Sequence, residues 1–178
     1  MRRSRALFLR ALLLLIAYTP CTAGPAESLD VPAFRAAVLK QHNTYRASHG
    51  VPPLALSTPL NQVAQHYAEQ LARSNRLVHS GHAQYGENLY TFRSSNHAPP
   101  SPATVVERWY NERASYNYAQ PGFQGRTGHF TQVVWKASTT LGIGIAQAVD
   151  GTWYVVSNYY PPGNIAGHFP TNVLPPRR

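Results

Sequence analysis

The stretch GHFTQVVW, residues 128–135, is the part of the chain around which the other elements are interpreted. It places one imidazole, His129, ahead of an apolar run that holds two valines and ends in Trp135. Valine and tryptophan are both enriched in β-strands. The pattern therefore predicts a core strand over 129–135, with His129 at its start and facing a cavity floored by the hydrophobic core.

Two amphipathic helices are predicted ahead of this stretch. Asp30 is a suitable cap for a helix over about 31–48. Thr58 is the predicted cap of a second helix, whose apolar residues recur at i, i+3, i+4 and i+7 as far as about Leu77. The apolar stripe of each helix is expected to be buried against the rest of the protein.

The last part of the chain predicts an antiparallel hairpin. Residues 140–149 alternate bulky Leu and Ile with Gly and Ala, so one face of this strand is nearly bare and lets a helix or a neighbouring backbone approach closely. Asp150-Gly151 is a signal for a two-residue turn, after which residues 152–160 pair back. With a short strand from Gly86, this order predicts an α+β fold in which helices cover a small sheet.

The first 23 residues predict a secretory signal peptide. Four arginines precede an apolar run, and small residues around Ala23 suit cleavage after it. A signal anchor is the alternative, but the apolar run is short for a membrane span. The predicted signal peptide implies that residues 24–178 are secreted. Cleavage would also remove Cys21, the only cysteine, so these residues are expected to be free of disulfides.

The charge of the predicted mature chain favours some partners over others. Four of the sixteen Lys and Arg residues precede residue 24, so residues 24–178 carry twelve against seven acidic residues, a net +5. This mildly basic surface suits anionic lipid headgroups or cell-wall polymers. No basic run with interleaved aromatic residues is present, so nucleic acid is not an expected partner. Phosphate-loop, dinucleotide, nucleophile-elbow and HExxH motifs are also absent from the sequence.

The few carboxylates make position informative. In a third helix, predicted from Pro102, Glu112 is seven residues after Val105 and shares its apolar face, whereas Glu107 points to solvent. A carboxylate on a buried face needs a partner. The most available partner is an imidazole, although a purely structural ion pair is equally compatible with the pattern.

The other polar candidates have ordinary alternatives. Glu87 could be a turn carboxylate, and His129 could be a core histidine bonded to a backbone carbonyl. His42 is expected to pack or hydrogen-bond within the protein, and His66 is expected to face solvent. The residues alone thus predict a secreted α+β domain with a candidate His/Glu cluster.

Several motifs, in this order along the chain, resemble the CAP superfamily, which covers cysteine-rich secretory proteins, insect antigen 5 and plant pathogenesis-related proteins. They are HNTYR (42–46), GENL (86–89), RWYNE (108–112), GHFTQVVW (128–135) and YVVSNYYPPGN (154–164). The resemblance covers about residues 34–175, and QPGF (120–123) and NVLPP (172–176) are similar to the Golgi-associated plant pathogenesis-related branch. It implies an α-β-α sandwich with a small, mainly antiparallel sheet, in a single CAP domain over 24–178.

The resemblance also implies a central cavity with two histidines and two glutamates. Matched motif by motif, these are His79, Glu87, Glu112 and His129. In several members of the family two histidines hold a divalent metal, often zinc, which would make His79 and His129 the metal ligands here. Two protein nitrogens form an open and weak zinc site.

Three functions follow as expectations. The first is a non-enzymatic binding module for lipids, sterols or an anionic membrane surface. The second is a metal-dependent hydrolase or protease with Glu87 or Glu112 as general base, so enzymatic activity stays open while a binding role is favoured. The third is a defence or host-interaction protein that acts through its surface or through a C-terminal peptide released near residues 161–164. The sequence gives no indication of oligomeric state.

Overall fold

A computed structural model describes residues 29–177 of the protein. The predicted signal peptide, residues 1–23, lies outside the described residues. The helices are α1 (Val31–Ser48), α2 (Thr58–Ser74), α3 (Pro102–Asn111), α4 (Gly128–Val133) and α5 (Phe169–Asn172), and a 3-10 turn (Glu112–Ser115) follows α3. The strands are β1 (Ala55–Leu56), β2 (Gly86–Phe92), β3 (Thr140–Gln147) and β4 (Trp153–Tyr160). Over residues 29–177, no helix combines the length and the apolar character that crossing a bilayer requires.

The sheet has the strand order β1-β3-β4-β2, and β2 forms one of its edges. The pairings β3–β4 and β4–β2 are antiparallel, and the two-residue β1 pairs with β3 in parallel. Helix α2 covers one face, while α1, α3 and α4 pack over the other, where the larger hydrophobic core lies. The predicted α-β-α sandwich with a mainly antiparallel sheet is confirmed.

The bare face predicted for residues 140–149 is the face that α2 occupies. A Cβ atom placed on Gly142 or Gly144 would overlap the backbone of Leu60 or Ala64 in α2. The helix also bonds to the strand, since Ile143 donates its backbone N–H to Asn61 Oδ1 at 2.8 Å. The two glycines therefore set how closely α2 approaches the sheet.

The strand predicted over 129–135 is wrong, because the chain forms α4 there. The Glu112 carboxylate accepts the backbone N–H groups of His129 and Phe130 at 2.9 and 3.2 Å, in the first turn of α4. At the other end, the buried guanidinium of Arg46 donates to the carbonyl oxygens of Val133 and Trp135 at 3.0 and 2.9 Å. Because both ends of the helix gain charged partners from distant segments, the local strand preference is overridden.

The second helix and the hairpin also differ from the predictions. The cap of the second helix is Ser57, whose hydroxyl accepts the Leu60 N–H at 3.4 Å, and Thr58 is the first residue of the helix. The second helix ends at Ser74 instead of Leu77, because Asn75 adopts a left-handed conformation with φ 51°. The hairpin loop has three residues, 149–151, since the backbone N–H of Ala148 donates to the Thr152 carbonyl at 2.7 Å. Gly151, at φ 87°, occupies the left-handed position of this longer turn.

Candidate functional site

The four predicted site residues line one cavity of about 240 Å³ beside β2, at the edge of the sheet. His79 lies in the loop after α2, and Glu87 is the second residue of β2. Glu112 begins the 3-10 turn after α3, and His129 is the second residue of α4. The fold thus brings together side chains from four separate segments.

The first pair in the cavity joins His79 to Glu87. His79 Nδ1 lies 2.8 Å from Glu87 Oε1, and the same oxygen accepts the backbone N–H of Ser80 at 3.0 Å. The Glu87 side chain is only 9% exposed, whereas that of His79 is 64% exposed. A buried carboxylate therefore orients an imidazole that solvent and ligands can reach.

The second pair joins His129 to Glu112. His129 Nδ1 lies 2.7 Å from Glu112 Oε1, and Glu112 Oε2 accepts the two backbone N–H groups that begin α4. The two side chains are 36% and 25% exposed. Glu112 lies just beyond the last residue of α3, in the 3-10 turn, and Glu107 is exposed as predicted.

Both imidazoles are held so that their second nitrogen is available. A carboxylate only accepts hydrogen bonds, so Nδ1 is the donor in both pairs and Nε2 of a neutral ring carries the lone pair. Histidines that bind metal usually donate their other nitrogen to a carboxylate in this way. Residues 29–177 contain no group of three or more His, Cys, Asp or Glu side chains placed to hold a metal ion. The two imidazoles, His79 and His129, are the nitrogen donors that line this cavity.

The two carboxylates differ in their capacity to act as a base. Both oxygens of Glu112 are engaged, in three hydrogen bonds. Glu87 uses Oε1 twice, and its Oε2 is buried without a hydrogen-bond partner in the described part of the chain. If either carboxylate accepts a proton from a substrate or water, the geometry favours Glu87.

A buried chain of hydrogen bonds connects α1 to the backbone of His129 beside the cavity. The sequence did not predict this chain. His42 Nδ1 donates to the Val38 carbonyl at 2.8 Å, so His42 Nε2 accepts from the Tyr159 hydroxyl, also at 2.8 Å. Asn88 Nδ2 in turn donates to the Tyr159 hydroxyl at 3.2 Å and to the backbone carbonyl of His129 at 3.1 Å.

Burial keeps this chain in one protonation state. It lowers the pKa of His42 to about 4, with a smaller contribution from the nearby Arg46 charge, and it raises the pKa of Tyr159 well above its usual range. The internal hydrogen-bonding role predicted for His42 agrees with these contacts. The two-residue period of β2 was the signal that could have identified Asn88 as a buried polar residue. It places the Asn88 side chain on the opposite face of the strand from Glu87.

The mouth of the cavity has features that the sequence reading also missed. Phe123 and Arg126 belong to the loop between the 3-10 turn and α4, and both line the cavity. The Phe123 ring is 65% exposed. Asn164 closes another side and is held in place because its Nδ2 donates to the Gly128 carbonyl at 2.9 Å.

A comparison with known protein families agrees with the order of the helices and strands and with the residues that line the cavity. Residues 39–159 match the CAP family, described as the cysteine-rich secretory protein family. The chain belongs to the CAP family. It is 47% identical over 150 residues to Golgi-associated plant pathogenesis-related protein 1 of Homo sapiens, covering 82% of this chain and 95% of that protein.

Two further CAP proteins match this chain at lower identity. The chain is 43% identical over 134 residues to pathogenesis-related protein 1C of Nicotiana tabacum, covering 74% of this chain and 77% of that protein. A solved structure described as NaASP2 with Zn2+ superposes with a TM-score of 0.65 at 22% identity, covering 86% of this chain and 90% of that one. This structural likeness supports the CAP fold.

Proposed function

We propose that this CAP protein is secreted and acts as a non-enzymatic binding module, docking on an anionic lipid membrane through the mouth of its His/Glu cavity. The observation that carries the proposal is the pairing of an exposed aromatic ring, Phe123, with a cation, Arg126, on one loop at that mouth. An aromatic side chain lowers its free energy in the interfacial layer of a bilayer. A nearby guanidinium adds about 1 kcal/mol of attraction to anionic headgroups.

The size of the cavity limits what this mode can bind. At about 240 Å³ the cavity is smaller than the roughly 300–1,000 Å³ of pockets that enclose drug-sized ligands. A sterol or an acyl chain would therefore be contacted at the rim and in the bilayer, instead of being enclosed. Contact with the surface of the membrane accounts best for an exposed ring on a loop.

Vesicle sedimentation with residues 24–178 tests the membrane proposal. Vesicles of phosphatidylcholine with 30% phosphatidylserine should bind the protein, and pure phosphatidylcholine should bind it weakly. Phe123→Ser and Arg126→Gln should each reduce binding by about fivefold, the equivalent of roughly 1 kcal/mol. Val149→Ser and Arg76→Gln change an exposed apolar side chain and an exposed cation away from the mouth, and they should bind like the unchanged protein. Equal loss in the rim and control variants would contradict the proposal.

We also propose that the cavity binds Zn²⁺ through His79 and His129. The two Nδ1–carboxylate hydrogen bonds support this, since each leaves the Nε2 lone pair of the imidazole available to a metal ion. Isothermal titration with zinc should show one site per chain, weakened at least tenfold by His79→Ala. His66→Ala, which changes an exposed histidine on α2, is the matched control. Unchanged affinity in His79→Ala would remove the metal proposal.

A second candidate function is metal-dependent hydrolysis. It is favoured by one observation, which is that Glu87 Oε2 has no hydrogen-bond partner within residues 29–177. A zinc ion on the two imidazoles would supply Lewis acidity, and Glu87 would accept the proton. A peptidase and esterase screen should then reveal a rate that both Glu87→Gln and His129→Ala abolish. A rate that survives both changes, or no rate at all, would exclude this activity.

The third expected role, a peptide released near residues 161–164, has a structural requirement. The backbone N–H of Gly163 donates to Gln132 Oε1 at 2.9 Å, and Asn164 is bonded to Gly128. Such a peptide would have to detach from α4. The same contacts give the segment a different role, which is to close one side of the cavity.

A further inference from the structure

A second concave surface lies beside the His/Glu cavity, along α2. We name it the α2 groove; its polar wall is formed by Gln62, His66, Gln70, Ser80, His82 and Asn158. Its volume is about 430 Å³, and Glu87 lines both the groove and the cavity. Val63 lines both the groove and a neighbouring depression of about 260 Å³, which Tyr85 and Tyr160 also line. The groove therefore extends from the His/Glu cavity at one end to these two tyrosine rings, its aromatic end, at the other.

We infer that the α2 groove is a binding site for a neutral oligosaccharide. Within residues 29–177, no lysine or arginine lines the groove or its aromatic end, so neither offers such a cation for a phosphate or sulfate. The carboxylate that lines the groove, Glu87, is only 9% exposed and accepts hydrogen bonds from His79 and Ser80 through Oε1. Little of its charge is therefore presented to a ligand in the groove. The remaining polar lining consists of amides, imidazoles and hydroxyls, which can both donate and accept. Such a lining is matched by a ligand with many hydroxyl groups and no net charge.

The aromatic end suits the apolar faces of sugar rings. The rings of Tyr85 and Tyr160 meet edge to face, with centroids 6.5 Å apart and planes at 66°. Tyr160 is 53% exposed, an unusual position for a large ring at the end of a core strand. In the groove itself, the Tyr67 hydroxyl donates to the Val78 carbonyl at 2.6 Å, which holds that ring in one orientation. Pyranose rings present C–H groups that pack on such surfaces, while their hydroxyls turn to polar side chains.

Two buried acceptors under the groove lack donors. Glu87 Oε2 and Asn158 Oδ1 are both buried without a hydrogen-bond partner in the described chain. They are neighbours, because Glu87 and Asn158 are paired in the register of β2 and β4. Buried acceptors in native proteins are nearly always satisfied, by protein, water or ligand. Both oxygens are closed to solvent, so a ligand hydroxyl becomes their donor only if a lining side chain of the groove moves aside.

Nuclear magnetic resonance titration of the protein, expressed from its full-length coding sequence, tests this site. The probes are cellotetraose and chitotetraose, which are neutral, and a heparin-derived tetrasaccharide, which is anionic. At least one neutral probe should shift the amide signals of His66, Gln70 and Tyr160. The anionic probe should not shift these signals.

Variants distinguish specific binding from a general effect. The double change His66→Ala/Gln70→Ala removes an exposed pair of side chains whose nitrogens lie 3.1 Å apart, and Tyr160→Ala removes the exposed ring. Each should raise the dissociation constant of the neutral probe about tenfold, whereas Val149→Ala should leave it unchanged. The inference is overturned if neither neutral probe binds below about 10 mM, if the shifts centre on His129, or if the groove variants bind normally. Vesicle and zinc binding are measured separately, so failure here leaves those proposals standing.

Discussion

Replacing Glu112 by glutamine should switch the tautomer of His129 and thereby weaken zinc binding. In the native site both Glu112 oxygens accept, one from His129 Nδ1 at 2.7 Å and the other from the two backbone N–H groups at the start of α4. Glutamine has one acceptor oxygen. If that oxygen stays on the backbone groups, the amide NH₂ faces Nδ1, which can then only accept. The neutral ring must carry its proton on Nε2, the nitrogen proposed to bind zinc.

The size of the effect follows from these contacts. Losing one charge-assisted hydrogen bond and a negative charge at a helix N-terminus should reduce the free energy of unfolding by about 2 kcal/mol. The protein should therefore stay folded at 25 °C. Zinc affinity should fall by about 10–100-fold, the range seen when the partner of a ligating histidine is changed.

Two measurements test this reasoning at pH 8, well above the ordinary imidazole pKa of about 6.5. Nitrogen-15 spectra of the histidine side chains should show His129 protonated on Nδ1 in the native protein and on Nε2 in Glu112→Gln. Calorimetric titration should show the loss of zinc affinity. Glu107→Gln changes an exposed glutamate of α3 and is the control. If Glu112→Gln switches the tautomer but binds zinc normally, then His129 Nε2 is not a ligand.

Three further predictions concern the fold. Arg46→Met should lower the free energy of unfolding in urea by about 4 kcal/mol, because four backbone carbonyls lose their donor. Gly144→Ala should lower it by about 2 kcal/mol or more, because the new methyl group meets the α2 backbone at Ala64, whereas Gly122→Ala has open space and should be nearly neutral. Stability should fall by about 2 kcal/mol from pH 7 to pH 5, because the unfolded His42 takes up a proton near pH 6.5 and the folded one only near its pKa of about 4.

The pH prediction has a defined sign and a control. Between these two pKa values the unfolded state binds more protons, so the stabilisation is complete above pH 6.5 and is lost as the pH falls towards 4. Burial also lowers the pKa of His49, which adds to the same slope. His42→Gln should therefore flatten the slope without abolishing it, and His66→Gln, at an exposed position, should leave it unchanged. An identical slope in His42→Gln would show that other groups cause the acid sensitivity.

The elements with local signals could be predicted from the sequence. Asp30 does cap α1, with its carboxylate accepting the Ala33 N–H at 2.9 Å. The glycines of β3 did predict a close approach to this face of the strand, which α2 makes, and the residue spacing in α3 did distinguish Glu112 from the exposed Glu107. In each case the deciding information lies within one or two helical turns or in the two-residue period of a strand, which a sequence displays directly.

The resemblance named the four residues that share the cavity, but it did not indicate how they are bonded. That His79 pairs with Glu87 and His129 with Glu112 depends on four segments meeting at the edge of the sheet. The same arrangement decides that both Glu112 oxygens accept hydrogen bonds, while one Glu87 oxygen has no partner among the residues that the structure describes. No spacing in the sequence distinguishes these two carboxylates.

By itself, the sequence determined the starts of α1 and α3, the presence of the β3–β4 hairpin and the bare face of β3, and the resemblance supplied the members of the His/Glu cluster. The tertiary structure alone decided the conformation of the stretch 128–135. Its valines and tryptophan favour a strand, yet its first N–H groups bind a carboxylate 17 residues away and its last carbonyl a guanidinium 89 residues away. Local propensities amount to about 1 kcal/mol, and charged partners at both ends of a short helix outweigh them. His129 therefore enters the cavity from the start of a helix.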